Sequence, residues 1–112
     1  MHRRFYTVYI LTNISRSVLY IGVTNNLRRR LTEHYFKIGG PDSFTKRYNV
    51  IYLLYYEEFH YVNDAIRREK EIKKWNRQKK LELIAKRNPK LLFLNEELFP
   101  DWPPANSLNK RV

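Results

Sequence analysis

The chain has 112 residues, which is room for one ordinary domain. It contains no cysteine, so disulfides, zinc–thiolate sites and thiol nucleophiles are excluded, and no apolar run nears the ~20 residues that span a bilayer. Its 22 basic residues against 11 acidic ones give a formal net charge of +11. That excess exceeds what solubility requires and attracts polyanions, chiefly nucleic acid and less often anionic membrane.

Met1–Arg4 is basic and Phe5–Leu11 is rich in Tyr, Val and Ile, but no small-residue cleavage site follows. The stretch therefore reads as a strand without a targeting signal, and a cytoplasmic protein is expected. Asn13–Ser17 supplies turn residues, and Val18–Val23 completes an antiparallel hairpin. A turn centred between Ile14 and Ser15 sets Tyr9 directly across from Tyr20. Gly22 shares their face and leaves the backbone open to close approach. Thr24–Asn26 offers cap side chains for a helix from Leu27 to Lys37, whose inward stripe is Leu27, Leu31 and Tyr35. Arg30 and His34 are spaced i, i+4 beside that stripe, at the edge where the helix meets the sheet.

Gly39–Ser43 is a loop. Val50–Tyr56 is continuously apolar and reads as a third, central strand. Asn63 or Asp64 caps a helix over Ala65–Trp75. A further helix runs over Lys79–Arg87 until Asn88-Pro89 stops it. Leu91–Leu94 and Leu98–Phe99 pack back on the domain. The result is an α+β fold over residues 1–99, a small three-stranded antiparallel sheet flanked by helices in the order β-β-α-β-α-α. Residues 100–112, with three prolines, form an irregular tail that frays at its end.

Glu69 falls amid the inward stripe of Ala65, Ile66 and Ile72. A buried carboxylate needs compensation worth several kcal/mol. A magnesium or manganese ion fits, since it keeps several waters and takes only one or two protein carboxylates. A salt bridge to an arginine is the alternative. Around Glu69 lie Arg67, Arg68, Lys70, Lys73 and Lys74, with Asn76 just beyond and Lys46 and Arg47 before the third strand. Such a face grips a phosphate backbone through non-specific, salt-sensitive contacts.

These residues, in this order, resemble the GIY-YIG nuclease superfamily, and most of all its small stand-alone bacterial branch, similar to the nuclease domain of the excision-repair protein excinuclease C. The first motif reads Thr7-Val8-Tyr9, with threonine in place of the family's glycine. The second is intact as Tyr20-Ile21-Gly22 and continues to Arg30 and His34. The third is the stretch from Ala65 through Glu69 to Trp75. The match covers roughly residues 5 to 90. The resemblance implies metal-dependent hydrolysis of DNA phosphodiester bonds, in DNA repair or recombination. Tyr9, Tyr20, Arg30, His34 and Glu69 are then catalytic, and Glu69 holds Mg²⁺ or Mn²⁺. Free tyrosine titrates near ~10, so Tyr9 needs the metal, Arg30 and His34 to deprotonate the attacking water. Tyr20 positions Tyr9 or the phosphate, and Gly22 leaves space for the scissile strand. Gly22, Lys46, Arg47, Arg68, Lys73, Lys74 and Asn76 are expected to bind nucleic acid. Asn76 and Asn88 both stand where some relatives carry an active-site asparagine. The expected partner is DNA, with RNA an alternative, and the protein acts as a monomer without a membrane or obligate protein partner. Two other readings fit the same composition: a nucleic-acid-binding module of the same fold that does not cut, and a structural protein of a ribonucleoprotein particle.

Overall fold

A computed structural model describes residues 5–37 and 47–105. Strand β1 spans Tyr6–Thr12, β2 Leu19–Thr24 and β3 Tyr52–Phe59. Helix α1 covers Leu27–Phe36, α2 Val62–Lys73, α3 Arg77–Ala85, and a single turn, α4, Asn95–Leu98. The sheet is antiparallel with strand order β2-β1-β3. The α+β layout is as expected, with α4 added. The central strand, however, is β1 and not β3. Six of the seven β1 residues are buried, as pairing on both edges and packing on both faces require.

The hairpin register also differs from expectation. Tyr9 faces Gly22, and Tyr20 faces Leu11. The cause is Asn13, whose side-chain oxygen accepts hydrogen bonds from the Ser17 and Val18 amides and wraps a six-residue loop in place of a tight turn. The shift is two residues, so parity survives, and Tyr9, Tyr20 and Gly22 still share a face.

Helix α1 starts where Asn26 accepts a hydrogen bond from the Arg29 amide, and ends at Lys37 in the left-handed conformation. Asn76 caps α3 in the same way through the Lys79 amide. Helix α2 begins earlier than expected, after Tyr61, and has no side-chain cap. Its buried face, through Ala65 and Ile72, packs with Val8, Ile10 and Ile21 on one side of the sheet, over β1 and β2 more than β3. Helix α1 packs on the other side, where Leu31 meets Tyr9, Leu11 and Leu53. The segment after α3 returns to β3. Phe93 stacks on Tyr52, while Leu94, Leu98 and Phe99 cover the α1 side. Leu92 stays exposed. Trp102 lies edge-on to Tyr35, and Asp101 pairs with Arg28 at 2.6 Å. The loop expected over Gly39–Ser43 and the frayed end expected of the tail fall outside the described residues.

Candidate active site

The α1 side of the sheet gathers four of the five expected catalytic side chains. Tyr9 and His34 are nearly inaccessible, at 1% and 4%. The Tyr9 hydroxyl lies 3.4 Å from Nε2 of His34, so a proton can pass either way according to the imidazole tautomer. The Tyr20 ring stands 5.6 Å from the His34 ring and 6.4 Å from that of Tyr9, closing a triangle of aromatic rings. This cluster follows from sequence spacing: residues at odd positions of β1 and even positions of β2 point to α1, and His34 is one turn beyond Arg30.

Gly22 explains how Tyr9 fits. A Cβ added there would stand 3.0 Å from Cε1 of Tyr9 and closer still to its Cζ and Oη. The glycine therefore makes room for the Tyr9 phenol, which crosses over β2, and not for an incoming strand as expected.

Arg30 borders the ring cluster. Its partial burial lowers its pKa, but the Tyr9 oxygen, then Glu33 and more weakly Tyr20, raise it further, and the net direction is up. The attraction is mutual, so the guanidinium favours negative charge on the phenolic oxygen. Glu33 holds the guanidinium at 3.1 Å. Sequence reasoning missed Glu33, although its i, i+3 spacing from Arg30 and i, i+4 spacing from Arg29 signalled it.

Glu69 is placed differently. It rides on α2, the helix of the opposite layer, with its side chain 13% exposed and its carboxylate 2.6 Å from Nζ of Lys73. The ion pair is with a lysine one turn on, not with an arginine. The sheet therefore stands between Glu69 and the ring cluster, and among the described residues β2 has no further strand outside it.

The expected nucleic-acid contacts divide. Lys73 and Lys74 are exposed at the end of α2, and Arg47 is exposed with its guanidinium over the Tyr48 ring. Lys46 lies outside the described residues. Arg68 turns inward instead. Two of its nitrogens donate to Glu57 on β3 at 2.9 and 3.0 Å, and a third to Glu71 at 2.8 Å. This bidentate pair ties α2 to the sheet, so the guanidinium is not presented to a phosphate. Asn76 is occupied as the α3 cap. Asn88 is buried, donating to the carbonyls of Leu54 and Leu92 and accepting from the Leu92 amide. Its role is to anchor the chain after α3.

The model of the GIY-YIG catalytic domain matches residues 5–82, a span that contains Tyr9, Tyr20, Arg30, His34 and Glu69. A UPF0213 protein of Staphylococcus haemolyticus is 39% identical over 80 residues, covering 71% of this chain and 94% of that protein. A UPF0213 protein of Staphylococcus aureus strain Mu3 is 36% identical over the same shares. The solution structure of a UPF0213 protein from Bacillus halodurans superposes with a TM-score of 0.50 at 26% identity, covering 77% of this chain and 88% of that one. The chain therefore belongs to the GIY-YIG family, among its small UPF0213 relatives.

Proposed function

We propose that the protein is a divalent-metal-dependent endonuclease that hydrolyses DNA phosphodiester bonds. The observation that carries this reading is the triangle of buried Tyr9 and His34 with half-buried Tyr20, and Arg30 at its border. A structural core has little use for a phenol–imidazole pair beside a guanidinium, whereas hydrolysis of a phosphodiester needs a proton acceptor and a cation side by side.

Among the described residues no three acidic or imidazole groups gather in one cluster. The metal site that fits is thus of the single-carboxylate kind, completed by water and substrate oxygens. Glu69 suits it, because its partly buried carboxylate already holds a cationic group. A bound Mg²⁺ or Mn²⁺ would supply charge stabilisation at the phosphate. In this reading Tyr9 passes its hydroxyl proton to Nε2 of His34 as it takes one from the attacking water, and the imidazolium returns a proton, through water, to the departing oxygen. Arg30 neutralises charge building on the phosphate oxygens, and Tyr20 holds the Tyr9 ring in place. The substrate approaches along the β2 margin, between the layer of α1 and the layer of α2. Lys73, Lys74 and Arg47 grip its backbone without reading bases. The catalytic unit is residues 1–99, acting as a monomer in the cytoplasm, in DNA repair or recombination.

The test is a nicking assay on branched, nicked and single-stranded DNA, with matched RNA, in Mg²⁺ or Mn²⁺. Tyr9→Phe and Glu69→Ala are each expected to lower the rate by at least about 100-fold while circular dichroism stays unchanged. If the wild-type protein binds DNA but cuts nothing with either ion, the non-cutting binding module is the correct reading. Tight RNA binding that ignores metal would favour the ribonucleoprotein role.

A further inference from the structure

On the α1 side, where the start of β1 and the end of β3 meet the start of α1, the molecule opens into a cleft of about 640 Å³. Phe5, Tyr56 and Phe99 bring aromatic rings to its walls, and Leu27 adds an aliphatic one. Asn25, Asn26, Arg28 and Arg29 form its helix-side wall, and Thr7 and Glu58 meet on its sheet side. Thr7, only 5% exposed, makes no hydrogen bond through its hydroxyl, yet that oxygen is not sealed from solvent. Glu58 lies directly across from Thr7 on β3 and forms no hydrogen bond or ion pair with any described residue. Glu58 is exposed, and among the charged groups lining the cleft it alone has no described ionic partner, since Arg28 pairs with Asp101 and Arg29 with Glu33.

With both lining arginines already paired, the carboxylate argues against a phosphate at the sheet-side wall, which it would repel. It suits a ligand with flat π-faces and hydrogen-bond donors on one edge. Nucleobases have both, and stacking on aromatic side chains is how proteins hold them out of a helix. Guanine presents two parallel N–H donors on its Watson–Crick edge, matching the two oxygens of a carboxylate. Thymine and uracil present one N–H between two carbonyl oxygens, which a carboxylate repels. Pairing with cytosine commits N1–H and one N2–H, so the parallel pair of donors is available only in an unpaired guanine. The volume lies in the range of small-ligand sites and accepts one nucleoside. Thr7 is two residues from Tyr9, about 7 Å along the strand. Arg29, exposed on the rim, is placed to meet the adjoining phosphate. The Phe99 wall lies beyond the residues that match the catalytic-domain model.

We propose that this cleft is a nucleobase subsite, taking one unpaired base beside the reacting phosphate and preferring guanine over thymine through Glu58. The proposal rests on the nucleic-acid reading of the neighbouring site and deepens it by naming the substrate feature recognised. The test uses the full chain without metal, so that binding is read apart from cutting. Fluorescence anisotropy compares a short oligothymidine strand with the same strand carrying one central guanine. The guanine strand is expected to bind about tenfold tighter. Glu58→Gln should bring the two strands level, and Thr7→Val should narrow the gap. Annealing the guanine to a complementary strand should remove the advantage. Equal binding of both strands by the wild-type protein overturns the proposal, as does a preference that survives Glu58→Gln. A guanine preference in a protein that cuts nothing supports the subsite and refutes only the nuclease. Cutting without the preference does the reverse.

Discussion

The packing of Tyr9 over Gly22 can be measured by adding one methyl group. In Gly22→Ala the new carbon meets the Tyr9 ring well inside contact distance, and that ring is 1% exposed with no slack around it. Gly22 has no left-handed backbone angle, so the cost is steric and not conformational. Overpacking of this kind costs about 1–3 kcal/mol. Moving the phenol away from His34 removes a hydrogen bond worth about 1 kcal/mol more. Taking about 3 kcal/mol in all and a urea slope of about 1.5 kcal/mol/M, the midpoint should fall by about 2 M. The decisive comparison repeats the substitution in a Tyr9→Ala background. There the ring is gone, the methyl enters a void, and the added cost should shrink to within about 0.5 kcal/mol. Urea unfolding followed by far-ultraviolet circular dichroism reads all four proteins. Equal costs in the two backgrounds would show that Gly22 is required for some reason other than Tyr9.

Three other outcomes follow from named contacts. Asn95→Ala leaves the Leu53 amide and the Ile51 carbonyl without their buried partner; it should destabilise by about 3 kcal/mol and speed hydrogen exchange at Leu53. Burial pushes the Glu57 carboxyl up, but its hydrogen bonds from Arg68 and then Tyr55 lower it further, so its folded pKa lies below the unfolded one. Its stabilisation is complete above the unfolded value of about 4.3 and fades as pH falls through the folded value. Glu57→Gln should therefore cost about 2 kcal/mol at neutral pH, a deficit that shrinks in acid when urea midpoints are compared across pH. Burial first, and then Glu57, push the Tyr55 phenol up to about 12. Its contribution is full below pH about 10 and is lost as pH rises through about 12; absorbance titration should show Tyr55→Phe removing one tyrosine that titrates at about that pH.

The order of elements was legible because apolar periods and the capping residue Asn26 are local signals, whereas Asn76, expected at the nucleic-acid interface, was not recognised as the α3 cap. So was the shared face of Tyr9, Tyr20 and Gly22, since strand parity survives a two-residue slip. The register itself was not, because it hangs on one Asn13 side chain that bonds amides four and five residues ahead. Nor was the place of β3. Its apolar run, the signature of a central strand, arises at an edge that Leu94, Leu98 and Phe99 cover from the chain's far end. The helical wheel found that Glu69 is drawn inward, and the structure leaves it 13% exposed. The wheel gave no hint that α1 and α2 lie on opposite sides of the sheet, since layering is not a property of one helix. Arg68 shows the same limit, for its partner Glu57 sits on a different element eleven residues earlier.

The two margins of the sheet are finished unequally. Along β3, Asn95 serves the Ile51 carbonyl and the Leu53 amide, the Leu94 amide serves the Leu53 carbonyl, Asn88 that of Leu54, and Arg87 that of Tyr56. Among the described residues no comparable seam runs along β2. Among the described residues, a fourth strand from another copy or an extended peptide thus meets side-chain cover on the β3 margin that β2 lacks, and strand addition at an uncovered edge is the ordinary route to aggregation. On β2 it would lie against the same strip that carries Tyr20 and Gly22, so self-association and access to the phenol cluster compete for one edge.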